Sequence, residues 1–230
     1  RRDCQAARRG GPARLMTKPL AILGGTFDPV HNAHLRVAWE AAERLDAEVR
    51  LVPANVPPHR DQPVANAHER AAILRAALQG QDRLVLDERE LRREGPSWTI
   101  DTLFELRDEI GAERPLVLLV GADAFLGLPS WHRWGELFDY AHVGVLTRPG
   151  HEIATLPTEL RIKVASRRTA DANALLASPC GRVLPMPVTP LEISATEVRA
   201  LLAAGGEPRY LMPDAVLADP RLLAPYRTAI

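Results

Sequence analysis

The chain has 230 residues, enough for one large α/β domain, and 46% of them are hydrophobic. Lys plus Arg and Asp plus Glu balance at 29 each, so no overall basic field recruits nucleic acid; any phosphate binding needs a local site. The two cysteines, Cys4 and Cys180, give neither a disulfide framework nor metal-ligand spacing, and no apolar run nears the roughly 20 residues that span a bilayer.

Arg1, Arg2, Arg8, Arg9 and Arg14 make the first stretch basic, and Gly10, Gly11 and Pro12 break any helix there. No apolar core follows, as a secretory signal would require. Residues 1–17 are therefore read as a disordered extension, and 18–230 as a single domain.

Short, nearly continuous apolar runs predict strands at Leu20–Gly24, Val49–Pro53, Leu84–Asp87, Leu116–Val120, His142–Thr147 and Arg182–Leu184. Helical spacing predicts helices at His34–Leu45, Ala67–Gln79, Ile100–Ile110 and Trp131–Phe138. The alternation argues for an α/β fold with a doubly wound, mostly parallel sheet. From Pro185 onward the rhythm breaks, and a helix over Ala195–Ala204, stopped by Gly205-Gly206, makes a helical C-terminal part.

Residues 24–35 read Gly-Gly-Thr-Phe-Asp-Pro-Val-His-Asn-Ala-His-Leu, directly after the first strand. Gly24 and Gly25 let backbone approach a phosphate, and the N–H groups of Thr26 and Phe27 can face the anion. His31 and His34 stand three apart at a helix start, where either can donate to a phosphate oxygen as charge grows. Either histidine alone is better explained by packing or by an ordinary helix start; both inside this turn are not. A metal pair is the weaker reading, because no third ligand lies nearby in sequence.

A second constellation is Ile193-Ser194-Ala195-Thr196-Glu197-Val198-Arg199. Ser194 and Glu197 form a capping box. Thr196 and Arg199 then face one anion from the first helical turn, and the planar guanidinium suits phosphate oxygens.

The first segment resembles the Gly-Gly-Thr-Phe-Asp-Pro-x-His-x-Gly-His motif of the nucleotidyltransferases, with Ala33 where glycine is usual. The second resembles their Ile-Ser-Ser-Thr-x-Ile/Val-Arg motif, with Ala195 in place of a serine. Ser97-Trp98-Thr99-Ile100-Asp101-Thr102 and Gly121-Ala122-Asp123, with Trp131 and Trp134, narrow the resemblance to bacterial nicotinate-nucleotide adenylyltransferases. The likeness runs from Gly24 to Arg199.

It implies a cytoplasmic enzyme that moves adenylate from ATP to nicotinate mononucleotide, with magnesium held through the ATP phosphates and no protein metal site. Gly24, Gly25, Thr26, Phe27, His34, Asp123, Ser194, Thr196 and Arg199 would bind ATP, with His31, His34 and Arg199 catalytic. Arg60, Thr99 and Trp131 would hold the mononucleotide. Asp123 either meets the adenylate ribose or serves the turn after Gly121, and Trp134 is read as core packing. Arg148 of Arg148-Pro149-Gly150 matches the family too, although Pro-Gly is also a generic turn. Arg92-Arg93-Glu94 is read as a solvated face. No nucleic acid or membrane partner is implied, and a homo-oligomer stays open. The rival readings are a transferase of the same fold with another acceptor, such as phosphopantetheine, and a non-catalytic ATP-sensing module.

Overall fold

The apolar runs pair side by side in one sheet. The computed structural model describes residues 18–57, 62–148 and 155–227; the expected extension over 1–17 and Arg60 lie outside them. Strands β1 (Leu20–Gly25), β2 (Glu48–Pro53), β3 (Leu84–Leu86), β4 (Leu116–Gly121), β5 (His142–Thr147) and β6 (Val183–Pro187) follow the order β3-β2-β1-β4-β5-β6. Every neighbouring pair is parallel. The order reverses between β1 and β4, the place where open α/β sheets hold their ligands. Both strands end there in glycine, at Gly25 and Gly121.

Strand side chains alternate between two core layers, which explains the uninterrupted apolar runs. Ala21, Leu23, Leu51 and Leu119 enter one layer. Leu20, Ile22, Val52 and Leu118 enter the other. Helix α1 (Asn32–Leu45) covers the first layer with Ala38, Ala41, Ala42 and Leu45, the spacing of one helical face. Helix α2 (Ala67–Ala77) joins it, while α3 (Thr99–Ile110) packs Ile100, Leu103 and Leu106 on the opposite side.

Helix α4 (Ala122–Leu126) starts directly after β4. The helix expected over Trp131–Phe138 is broken. A 3-10 turn at Trp134–Glu136 leads into the short α5 (Leu137–Tyr140), and Arg133 between them and the preceding turn has φ 53. A left-handed residue cannot continue a right-handed helix. Helix α6 (Thr158–Val164) follows β5.

The last strand runs further than expected, through Pro185 and Pro187. It is an edge strand, where a missing N–H on the open side costs no ladder bond. Helix α7 (Ala195–Ala203) ends before Gly205, whose φ of 76 suits glycine. Helix α8 (Asp214–Leu217) and a 3-10 turn over Pro220–Tyr226 complete the C-terminal part. Val216, Leu223 and Tyr226 from this part enter the same core layer as Phe27, so the tail packs behind the glycine turn.

Candidate active site

The turn after β1 is shaped by a ring. Phe27 is buried and takes a left-handed backbone with φ 50. A Cβ on Gly25 would stand 3.0 Å from the Phe27 ring, so a larger residue there presses the ring to give way. At Gly24 a Cβ would meet nothing within 4 Å, which leaves its outer side open to a ligand. The Phe27 ring sets its edge against His34, with centroids 5.1 Å apart.

Helix α1 begins at Asn32, so His31 is its N-cap residue and His34 stands at the third helical position. The two rings stack with centroids 3.8 Å apart. They occupy the positions of a capping box; within it the His31 backbone N–H donates to His34 Nδ1 at 3.4 Å, while His31 Nδ1 is buried without a hydrogen-bond partner. Nδ1 of His34 therefore acts as acceptor, which leaves Nε2 as the ring's donor atom. Burial pushes the His31 imidazole down to about 4, partly opposed by the charge of Glu197, so His31 is neutral near pH 7. The first helical amide, at Asn32, is already bonded to the Leu211 carbonyl at 2.8 Å, so that N–H is not open at the α1 N-terminus.

Asp28 ties this turn to three distant segments. Its carboxylate accepts the Val64 N–H at 2.8 Å and the Ala65 N–H at 3.1 Å, as well as the Tyr226 hydroxyl at 2.8 Å. Its carbonyl accepts from Arg199 Nη1 at 2.6 Å. Arg199 also donates to Thr196 Oγ1 at 3.3 Å, so these two residues share one face, as their spacing predicted. Ser194 closes the expected capping box: Glu197 N–H donates to Ser194 Oγ at 3.2 Å, and Ser194 Oγ donates to Glu197 Oε2 at 2.7 Å.

The segment that opens α3 connects to the same turn through the residues after β2. Ala54 N–H donates to the Gly25 carbonyl at 2.9 Å, and Asn55 N–H donates to Ser97 Oγ at 2.9 Å. Thr99 is the first residue of α3, and the N-cap position is Trp98. An indole accepts no hydrogen bond, so it cannot satisfy the first-turn amides around Thr99. The Trp98 ring lies 4.8 Å from that of His132, which brings the Thr99 segment beside Trp131. Trp131 and Trp134 are both partly buried against the core. Asp123 is exposed in the first turn of α4, and Arg148 is exposed just beyond β5.

Arg70, Glu90 and Tyr226 are three of the buried polar groups that escaped the sequence reading. Arg70 is 1% exposed and donates to the carbonyls of Ala65, Thr26 and Ala54. Its signal was present: a cation in register with the apolar stripe Ile73, Leu74 and Ala77 of α2. Glu90 accepts the Thr102 hydroxyl at 2.5 Å, and burial raises its carboxyl above the usual range. Arg93 joins this cluster through Thr102 and Glu105, which corrects its reading as a solvated cation; Arg92 and Glu94 are exposed. Tyr226, the third, had no local signal.

The chain matches the cytidylyltransferase-like family over residues 22–201. It is 48% identical over 218 residues to an Aeromonas hydrophila protein named "Probable nicotinate-nucleotide adenylyltransferase", covering 94% of this chain and 100% of the relative. It is 50% identical over 200 residues to a Pseudomonas putida protein of the same name, covering 86% and 90%. Its fold is similar to that of Plasmodium falciparum nicotinic acid mononucleotide adenylyltransferase complexed with NaAD, with a TM-score of 0.66 at 15% identity over 91% of this chain and 96% of that one. By the extent and identity of these matches, the chain belongs to the nicotinate-nucleotide adenylyltransferases within the cytidylyltransferase-like family.

Proposed function

We propose that this chain transfers adenylate from ATP to nicotinate mononucleotide, releasing pyrophosphate and forming nicotinate adenine dinucleotide. One observation carries this reading: Arg199 of α7 bonds to the Asp28 carbonyl, so a guanidinium and the His31–His34 pair meet at one glycine turn. A turn open at Gly24, flanked by cationic and imidazole donors, suits a polyphosphate.

A 5′-phosphate oxygen of the mononucleotide attacks the α-phosphorus of ATP. The new O–P bond forms while the bond to the β-phosphate oxygen breaks, and that oxygen keeps the electron pair as pyrophosphate leaves. The attacking phosphate is already anionic, so no protein base is required. His34 donates through Nε2–H to a phosphate oxygen, and Arg199 donates through its planar fork. Neutral His31 backs His34 by stacking and adds no charge. The Thr99 end of α3 receives the nicotinate carboxylate, with Trp131 beside the ring.

Magnesium, when carried in on the ATP phosphates, would offset their charge. Among the described residues no group of three or more His, Cys, Asp or Glu is placed to hold a metal ion.

Label transfer tests the bond that breaks. ATP labelled at the α-phosphorus should pass its label to the dinucleotide, and γ-labelled ATP should yield labelled pyrophosphate. Label from the γ position in the nucleotide product would contradict adenylate transfer.

A further inference from the structure

The C-terminal tail reaches into the site turn. Tyr226 is 4% exposed, and its hydroxyl donates to Asp28 Oδ1 at 2.8 Å across 198 residues of sequence. Asp28 does not touch the substrates in the reading above; it holds Arg199, through its carbonyl at 2.6 Å and with Oδ2 at 3.8 Å from the same Nη1. The tail meets α1 as well: the Leu211 carbonyl accepts the Asn32 N–H at 2.8 Å, and the Tyr210 carbonyl accepts from Asn32 Nδ2 at 2.7 Å.

Anchoring the tail does not require this hydroxyl. Val216, Leu223 and Met212 are already fully buried in the core layer, and a phenyl ring would fill the place of the tyrosine ring. What the hydroxyl adds is direction. Val64 N–H holds Oδ2, while the Ala65 N–H and the Tyr226 phenol converge on Oδ1, so the carboxylate has one orientation and its own backbone carbonyl is fixed beneath Arg199. Burial and the neighbouring Asp28 carboxylate raise the phenol above its usual range, so it remains a donor.

We infer that Tyr226 is a positioning residue for the triphosphate: its hydroxyl orients Asp28, and Asp28 holds the Arg199 guanidinium where ATP meets it. The role rests on the ATP-binding reading of this site, and the test separates the two.

Steady-state kinetics on the full chain, with thermal melting alongside, compares Tyr226→Phe, Leu223→Ala, Arg199→Ala and the Tyr226→Phe/Arg199→Ala pair. Tyr226→Phe should raise KM for ATP about tenfold, the loss of one hydrogen bond to a charged group, and leave KM for nicotinate mononucleotide unchanged. In the Arg199→Ala background the same change should add nothing, because its effect runs through that guanidinium. Leu223→Ala should melt earlier than Tyr226→Phe yet keep its KM for ATP. A Tyr226→Phe chain that only melts earlier, or is insoluble, overturns the positioning role. So does an ATP effect that adds fully to Arg199→Ala, or an equal ATP effect from Leu223→Ala. Absence of turnover in the unsubstituted chain overturns the functional reading and this role together; turnover with an unaffected Tyr226→Phe overturns this role alone.

Discussion

Arg70 donates to the Thr26 carbonyl at 2.5 Å from within the core, so a buried cation in α2 supports the turn on which the phosphates are proposed to rest. The same guanidinium spans the carbonyls of Ala65 and Ala54. Burial lowers its pKa, and the nearby Asp28 charge works against that shift. Replacing Arg70 with Met leaves these carbonyls unsatisfied and should cost about 3 kcal/mol or more in urea unfolding. Lys should not restore the loss, because a single ammonium cannot reach three diverging acceptors. Stability unchanged in Arg70→Met would show that the cation is dispensable.

Two buried histidines make the fold sensitive to mild acid. His31 and His142 are both held down to about 4 by burial, against an ordinary value near 6.5. Between those values the unfolded chain binds protons that the folded chain does not, so stability is full above about pH 6.5 and falls as pH drops toward 4. From pH 7 to pH 5 the loss should be about 2 kcal/mol per histidine. His142 only ties β5 to its neighbours, with Nε2 2.8 Å from the Ser178 carbonyl and Nδ1 accepting the Arg182 N–H at 3.0 Å. His142→Gln should therefore remove about half of the pH dependence, read as urea midpoints at the two pH values. A flat profile in the unsubstituted chain would contradict neutral burial of both rings.

His34→Ala should lower kcat by about 10²–10³, the usual cost of losing one transition-state donor. The side chain is only partly buried, so melting should change little. Single-turnover kinetics checks the chemical step directly. Full turnover in this variant would remove His34 from the mechanism.

The two glycines of the turn should fail differently. Gly24→Ala places its methyl in open space and should keep stability while weakening ATP binding. Gly25→Ala drives a methyl to 3.0 Å from the Phe27 ring and should cost about 1–3 kcal/mol of stability. Calorimetric ATP titration and thermal melting on both variants separate the effects; equal behaviour would contradict the distinct roles.

Much of this was legible because the sheet is covered on both sides. Runs such as Leu116–Val120 have no other economical reading than buried strands, and β4 begins where that run does. The motif residues of the turn and of α7 were legible for a related reason: each chemical signal is local, Gly24 to His34 in the first and Ile193 to Arg199 in the second. Failures came where a distant partner decides. Arg133 adopts a left-handed backbone that no propensity announces, and it breaks the helix expected over Trp131–Phe138. Pro185 and Pro187 stay in β6 because, among the described residues, only an isolated bridge from Arg168 to Val183 lies on its outer side. Arg93 looked solvated until Thr102 and Glu105 were folded against it. Tyr226 gains its meaning from a residue 198 positions away.

The most direct measurement is kcat/KM for ATP-dependent, magnesium-dependent product formation with nicotinate mononucleotide, nicotinamide mononucleotide and phosphopantetheine as competing acceptors. The account predicts a dinucleotide product with strong preference for the nicotinate form, reflecting a carboxylate received at the Thr99 end of α3. Preference for phosphopantetheine, or ATP binding with no product from any acceptor, would contradict it.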